Sequence, residues 1–303
     1  MEQIHEPVLL EEIRALLHLT KGDSAIDGTL DGGGHAKMLL DCVYPDGTVL
    51  GIEQDAQMVE FIERRKKEEG GAWKSLTVHH GNFCDIADIA KKRDVYPANS
   101  ILLDLGLSRW HYMQSKRGFS FQDPDEPLSM ALEDTSETKR AAAEILNYAA
   151  REELADIFFH YGEIRASRRL ADAVVKQRKK KYFYTVGDLT AISDPIMRKG
   201  SRGKNPSTKA FQALRIAVNN ELQNLTQGLT GAWEVLAKHG RLAVISYHSL
   251  EDRIVKNFFK DCAQINGTLI TKKPLEVSRE EIRQNPSARS AKLRVIEKIS
   301  IRQ

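Results

Sequence analysis

The sequence predicts an α/β fold, a doubly wound open sheet interrupted by a helical insertion. Three observations carry this. Residues 24–43 read as a short apolar strand, a glycine-rich turn and a helix, the opening unit of such a sheet. Strands and helices then alternate to about residue 109. From about Trp110 to Asn205 the alternation stops and a polar, helical pattern takes over, after which strands return. The expected division is therefore 1–109 with 206–303 as one domain and 110–205 as an inserted one.

A leading helix is predicted over 8–19, where Val8, Leu9, Ile13, Leu16 and Leu17 recur at helical spacing. Ala25 and Ile26 form the first strand, followed by Asp27-Gly28 and the run Gly32, Gly33, Gly34. A helix from about Ala36 to Val43 and a Pro45-Asp46-Gly47 turn lead to the second strand, Thr48 to Ile52, which ends in Glu53. A charged helix over 56–69 stops at Gly70-Gly71. Leu76–His80 is a third strand and Ser100–Leu103 a fourth, ending in Asp104. Helices are expected at 137–148, 151–160, 163–178 and 186–198, with a basic loop from Gly200 to Pro206 that looks mobile. Tyr182-Phe183-Tyr184 is the one strand-like run within that stretch. Helices at 207–225 and 227–238 precede a fifth strand, 241–246. A helix at 250–261 and a last strand at 292–301 close the pattern.

Ligands of open α/β sheets sit at the carboxyl ends of the strands, which collects Gly33, Glu53, Phe83 and Asp104 at one crevice. An acid at the tip of the second strand suits a ribose diol. The glycine spacing is not that of a dinucleotide fingerprint, and no Lys-Ser/Thr follows to hold phosphates. Asp27 and Asp31 would repel a pyrophosphate but suit a sulfonium or an α-amino group, which favours S-adenosylmethionine. A tight turn with no ligand and a dinucleotide site are the alternatives. Methylating an exocyclic base amine needs an acceptor for the NH₂ group, and Asp104 stands where amino-methyltransferases carry theirs. The two prolines and the aromatic that often follow are missing, which counts against a DNA substrate. Asp104 is the candidate catalytic residue, and a capping role at the strand end is its structural alternative.

The 303 residues are 41% hydrophobic and 29% charged, as in an ordinary soluble protein. The N-terminus lacks the pattern of a signal peptide, and no apolar run is long enough to span a membrane. Three scattered cysteines (Cys42, Cys84, Cys262) fit a reducing cytoplasm and no metal site. The net charge is only +3, yet Arg165–Lys209 holds thirteen Lys/Arg against three Asp/Glu. Arg253–Gln303 holds twelve against five. Two basic regions beside a nucleoside crevice point to a nucleic-acid partner, with a solvated face as the alternative for each run.

Longer motifs make a resemblance specific. They are His5-x-Pro7-Val8-Leu9-Leu10, Asp27-Gly28-Thr29 with Gly32 to His35, Gly81-Asn82-Phe83 and Leu103-Asp104-Leu105-Gly106. Arg117 to Phe121, Tyr161-Gly162-Glu163, Phe211 to Asn219, Val244 to Lys256, Asn285-Pro286 and Ala288 to Arg294 follow in order. Together they resemble the bacterial 16S ribosomal RNA cytidine methyltransferase family (RsmH/MraW type) over nearly the whole chain. The resemblance implies a Rossmann-like class I methyltransferase sheet and transfer from S-adenosylmethionine to the exocyclic amine of a cytidine in the decoding region. It implies donor binding by Gly33, Gly34, His35, Glu53, Phe83 and Asp104. His111 stands where the family has a glutamine on the donor, and Glu53 where it usually has aspartate. Asp31, Arg109-Trp110 and Ser129 to Leu132 also depart from the family pattern.

The implied partner is 16S ribosomal RNA or the small subunit, with no membrane and no DNA; a monomer or a homodimer is compatible with this. Candidate RNA contacts are Arg117, Phe119, Gln212, Arg215, Asn219, His248 and Arg253. Gln212, Arg215 and Asn219 share a helix face, which equally suits pairing with neighbours such as Glu221. Phe119 either stacks on a splayed base or closes the core of the insertion. His248 orients substrate, or the helix start is capped by Ser249 with Asp252. A ribosome-assembly factor that binds without turnover is the alternative function.

Overall fold

In the computed structural model, which describes residues 7–133, 141–197 and 206–300, the chain begins with α1 (Leu10–Leu17) and β1 (Ser24–Asp27). It continues with α2 (Gly34–Val43), β2 (Thr48–Glu53), α3 (Ala56–Glu69), β3 (Leu76–His80), α4 (Ile86–Lys92) and β4 (Ala98–Asp104). Then come α5 (Arg109–Met113), α6 (Ala142–Tyr148), α7 (Arg151–Asp156), α8 (Ser167–Arg178), α9 (Val186–Met197) and α10 (Thr208–Asn219). The last elements are α11 (Glu221–Val235), β5 (Leu236–Ser246), α12 (Ser249–Ile265), β6 (Gly267–Leu269), β7 (Leu275–Glu276), α13 (Arg279–Gln284) and β8 (Lys292–Lys298). His5, residues 137–140 and 198 of two expected helices, residues 200–205 of the basic loop and residue 301 of the last expected strand lie outside the described residues.

The strands form one sheet in the order β3-β2-β1-β4-β5-β8-β6, with β7 also paired to β8. β1 to β5 are parallel, whereas β8 runs antiparallel to β5. Winding proceeds outward from β1 through β2 to β3, then reverses through β4 to β5. The switch point therefore lies between β1 and β4, where Asp27 and Asp104 end their strands. Side chains of period two divide the core between the faces. Ala25, Val49, Leu102, Ile245 and Val295 pack with Ile13 and Leu39 on one side. Ile26, Leu50, Ile101, Val244 and Ile296 pack with Ile89, Leu229 and Phe259 on the other.

The chain divides into two compact units, Met1–Ser108 with Leu222–Gln303, and Arg109–Glu221. The expected second boundary at 205/206 thus falls one helix too early: α10 belongs with the second unit. The side chain of Gln212 on α10 donates to the Tyr161 carbonyl (3.1 Å), and Asn219 donates to the Met130 carbonyl (2.8 Å). The helix expected over 207–225 is broken at Asn220, which takes a left-handed conformation (φ 52°) that asparagine tolerates better than most residues. The helix expected over 151–160 ends early, and a π-type turn spans Ile157–Tyr161. No helix among the described residues is long and apolar enough to cross a membrane.

Candidate active site

The first unit brings the predicted donor residues to the switch point. Asp104 is buried at the tip of β4, where its backbone N–H donates to Thr29 Oγ1 (2.6 Å). Its Oδ1 accepts from the Tyr247 hydroxyl (2.9 Å), and its Oδ2 lies 3.4 Å from His35 Nδ1. His35 Nε2 is 3.0 Å from the Val8 carbonyl. A carbonyl only accepts, so Nε2 carries a proton and Nδ1 of the neutral ring turns its lone pair to Asp104. Burial lowers the His35 pKa to about 4, which keeps the ring neutral near pH 7. One proton between Nδ1 and Oδ2 would satisfy both atoms.

Tyr247 was not among the residues the sequence singled out. It lies just past β5, and its ring packs so near Gly106 that a Cβ there would sit 3.2 Å from Cδ2. Burial, and then the neighbouring Asp104, push its phenol well above the usual range, so it stays a donor. Removing this hydroxyl in Tyr247→Phe should cost about 1 kcal/mol of stability. It should also move the acid limb of the pH–rate profile upward, because the Asp104 carboxylate loses a donor. An unmoved profile would show that the hydroxyl does not act on Asp104.

The glycine turn is built against protein. Gly33 has φ +75°, and a Cβ would fall 2.7 Å from Ile62 and 3.0 Å from Trp73; at Gly34 it would meet the Pro7 ring at 3.0 Å. These glycines fix the start of α2, and with it His35. Glu53 is buried at the end of β2, with Oε2 accepting from the Asp31 N–H and Oε1 from the Asp55 N–H, both at 2.7 Å. Burial, then the charge of Asp31, raises its pKa to about 8. Phe83 starts a short turn after β3 and packs on α11, where a Gly228 Cβ would lie 2.5 Å from its ring.

Beneath these residues Asp27 is fully buried. Its Oδ1 accepts from Thr29 N–H (3.2 Å), and its Oδ2 has no hydrogen-bond partner among the described residues. Burial raises its pKa well above the carboxylate range, and the charges of Asp104 and Asp31 act in the same direction. An orphaned carboxyl oxygen beside the carboxylates of Asp104 and Asp31 fits a cationic donor with a ribose, and the charge of those two neighbours would oppose a pyrophosphate. Asp27, Glu53 and Asp104 are the residues that would hold it.

At the start of α12 the cap is His248, one residue before the expected Ser249. Its Nδ1 accepts from Glu251 N–H (3.4 Å), and Glu251 reaches back to the N–H groups of Tyr247 and His248 (2.8 and 3.2 Å). Asp252 instead forms a two-point pair with Arg294 (2.7 and 3.2 Å). Arg253 is exposed on the same helix.

The second unit holds His111, Arg117, Phe119, Gln212, Arg215 and Asn219. His111 is buried, with Trp110 and Phe119 edge-on to its ring at 5.2 and 5.9 Å. Phe119 is also buried and closes the core, so its ring offers no face to a splayed base. Arg117 donates to the carbonyls of Ala131 and Leu132 (3.4 and 3.1 Å), and Asn219 accepts from Leu132 N–H (3.0 Å). Both therefore hold the segment 129–132. Arg215 grips Glu221 with two hydrogen bonds (2.8 and 2.9 Å), the pairing the sequence left open. Asn219→Ala would remove the bonds to Met130 and Leu132 and leave buried backbone groups unsatisfied. A loss of about 2–3 kcal/mol in denaturant unfolding is expected.

The switch-point crevice, its acidic floor and the sheet order define a class I S-adenosylmethionine-dependent methyltransferase. A model of the MraW methylase family matches residues 2–299, and the chain belongs to that family. It is 40% identical over 298 residues to the ribosomal RNA small subunit methyltransferase H of Dictyoglomus thermophilum, covering 98% of each chain. It is 41% identical over 297 residues to the protein of the same name from Coprothermobacter proteolyticus, covering 97% of this chain and 96% of the other. Among solved structures, an rRNA methylase from Streptococcus thermophilus aligns with a TM-score of 0.46 and 9% identity, over 95% of this chain and 93% of that one.

Proposed function

We propose that this protein methylates the exocyclic N4 amine of a cytidine in the decoding region of small-subunit ribosomal RNA, in the cytoplasm. The observation that carries the reading is the buried Asp104 carboxylate, held by Tyr247 on one oxygen and faced by His35 on the other. Its support from outside the site is the family and the name its relatives bear. The bound donor supplies an electrophilic methyl group. Asp104 accepts a hydrogen bond from the amine, which draws the nitrogen lone pair out of the ring and toward attack. As the N–C bond forms, the S–CH3 bond of the donor would break and leave neutral S-adenosylhomocysteine, while the amine N–H breaks and its proton passes to Asp104, which shares it with Nδ1 of His35. Glu53 receives the ribose diol, and Phe83 lies against the adenine. Arg253 is assigned to RNA phosphate.

The test is to incubate the protein with radiolabelled S-adenosylmethionine and small subunits lacking the decoding-region cytidine mark, then digest the RNA to nucleosides. Label in N4-methylcytidine is expected. Label in another nucleoside would mean a different target, and no label with donor binding intact would favour an assembly factor.

A further inference from the structure

In the second unit, burial alternates along the segment 182–184. Phe183 is fully buried while Tyr182 and Tyr184 point outward. Its backbone is clamped from several sides. Asn147 donates to the Phe183 carbonyl (2.8 Å) and accepts from the Phe183 N–H (2.9 Å). Asp188 accepts from the Tyr184 and Thr185 N–H groups (3.0 and 3.1 Å), and Leu128 N–H donates to the Tyr184 carbonyl (2.9 Å).

A third ring joins them. Tyr148 ends α6, and Arg178 fixes that helix end by donating to the carbonyls of Leu146 and Ala149 (3.1 and 2.8 Å). The Tyr148 ring lies 6.1 Å from that of Tyr182, which lies 6.4 Å from that of Tyr184. The three are 68%, 45% and 60% exposed. A folded chain seldom leaves contiguous aromatic faces in water on so firm a backing unless they bind something. Cations precede Tyr182 in the chain: Lys179 and Lys180 are exposed and pair with no acid among the described residues, while Lys181 is held by Asp188 (2.7 Å).

Exposed rings preceded so closely in the chain by exposed ammonium groups are the chemistry that takes single-stranded nucleic acid, with bases on the rings and phosphates on the lysines. We propose that Tyr148, Tyr182 and Tyr184, with Lys179 and Lys180, form a binding surface for an unpaired stretch of RNA. The choice of RNA rests on the ribosomal RNA reading above. The basic run between Arg165 and Lys209 is then, in this part, a phosphate-binding edge.

The test uses the full chain and a fluorescent, unstructured oligoribonucleotide of about 12 nucleotides, read by anisotropy across a salt series. Tyr182→Ala with Tyr184→Ala should weaken binding at least about 20-fold, since each lost stack costs a base its platform. Tyr182→Phe with Tyr184→Phe should stay within about threefold, because the π-face is kept. Lys179→Ala with Lys180→Ala should lower the salt slope by about 1.4, the share of two phosphates. Alanine variants within about twofold of wild type, or phenylalanine variants as weak as alanine ones, would overturn the proposal. So would weaker subunit binding with oligonucleotide affinity unchanged, which would indicate a protein partner. The nucleoside assay on the wild-type protein separates the two readings. Label in cytidine with an inert tyrosine patch sinks only this surface. Tyrosine-dependent binding with no label sinks only the methylation.

Discussion

Replacing Asp104 by asparagine is expected to lower single-turnover methyl transfer by about 10³-fold, within the usual range for a lost general base. The substitution keeps the size of the side chain and an oxygen for the Tyr247 hydroxyl, so the fold around the β4 tip should survive. It removes the negative charge that draws on the amine, and it removes the only first-unit carboxylate seen against both Tyr247 and His35 among the described residues. An amide takes no proton at neutral pH, so the proton leaving the amine loses its seat. Donor affinity, measured by calorimetry, separates the two roles Asp104 has been given. A 10³-fold slower transfer at saturating donor assigns it to the chemistry. Full-speed transfer under those conditions with weakened donor binding would reduce it to a donor contact.

The sheet was legible because its strands are buried on both faces and so read as near-continuous Val/Ile/Leu runs, as in Ser100–Leu103. The acids that end β2 and β4 could be placed for the same reason: once a strand is known, its carboxyl end is known. What stayed hidden depends on register and on single backbone angles. The Tyr247–Asp104 bond joins residues 143 apart in sequence and follows from the parallel pairing of β4 with β5. The break at Asn220 lies in one left-handed residue, invisible to apolar periodicity, and it turns Glu221 back onto Arg215 six residues earlier. The short β6 and the polar α13 carry too little pattern to be seen at all. In the second unit, Phe119 and Asn219 have the residue types of RNA contacts, yet their burial makes them packing residues, and burial follows from tertiary packing rather than from residue type.

Glu53 should make both stability and donor affinity depend on pH, in opposite directions. Its carboxyl lies buried between the Asp31 and Asp55 N–H groups, and its pKa is raised to about 8 from 4.5, chiefly by burial and then by the charge of Asp31. Between those values the folded chain keeps a proton that the unfolded chain has released. Unfolding free energy should therefore fall as pH rises from about 4.5 to about 8, by at most about 1.4 kcal/mol per pH unit from this group, and flatten above. A ribose diol donates hydrogen bonds and prefers the ionised carboxylate, so donor binding should tighten over the same rise and release a proton. Calorimetry in two buffers of different ionisation enthalpy reads that proton directly. Glu53→Gln cannot ionise, and should remove both the proton release and this part of the stability slope, while weakening the donor about 10-fold through the lost charge-assisted bonds. Proton release unchanged in the variant would move the linkage to another buried acid, for which Asp27, itself raised by burial, is the group at hand.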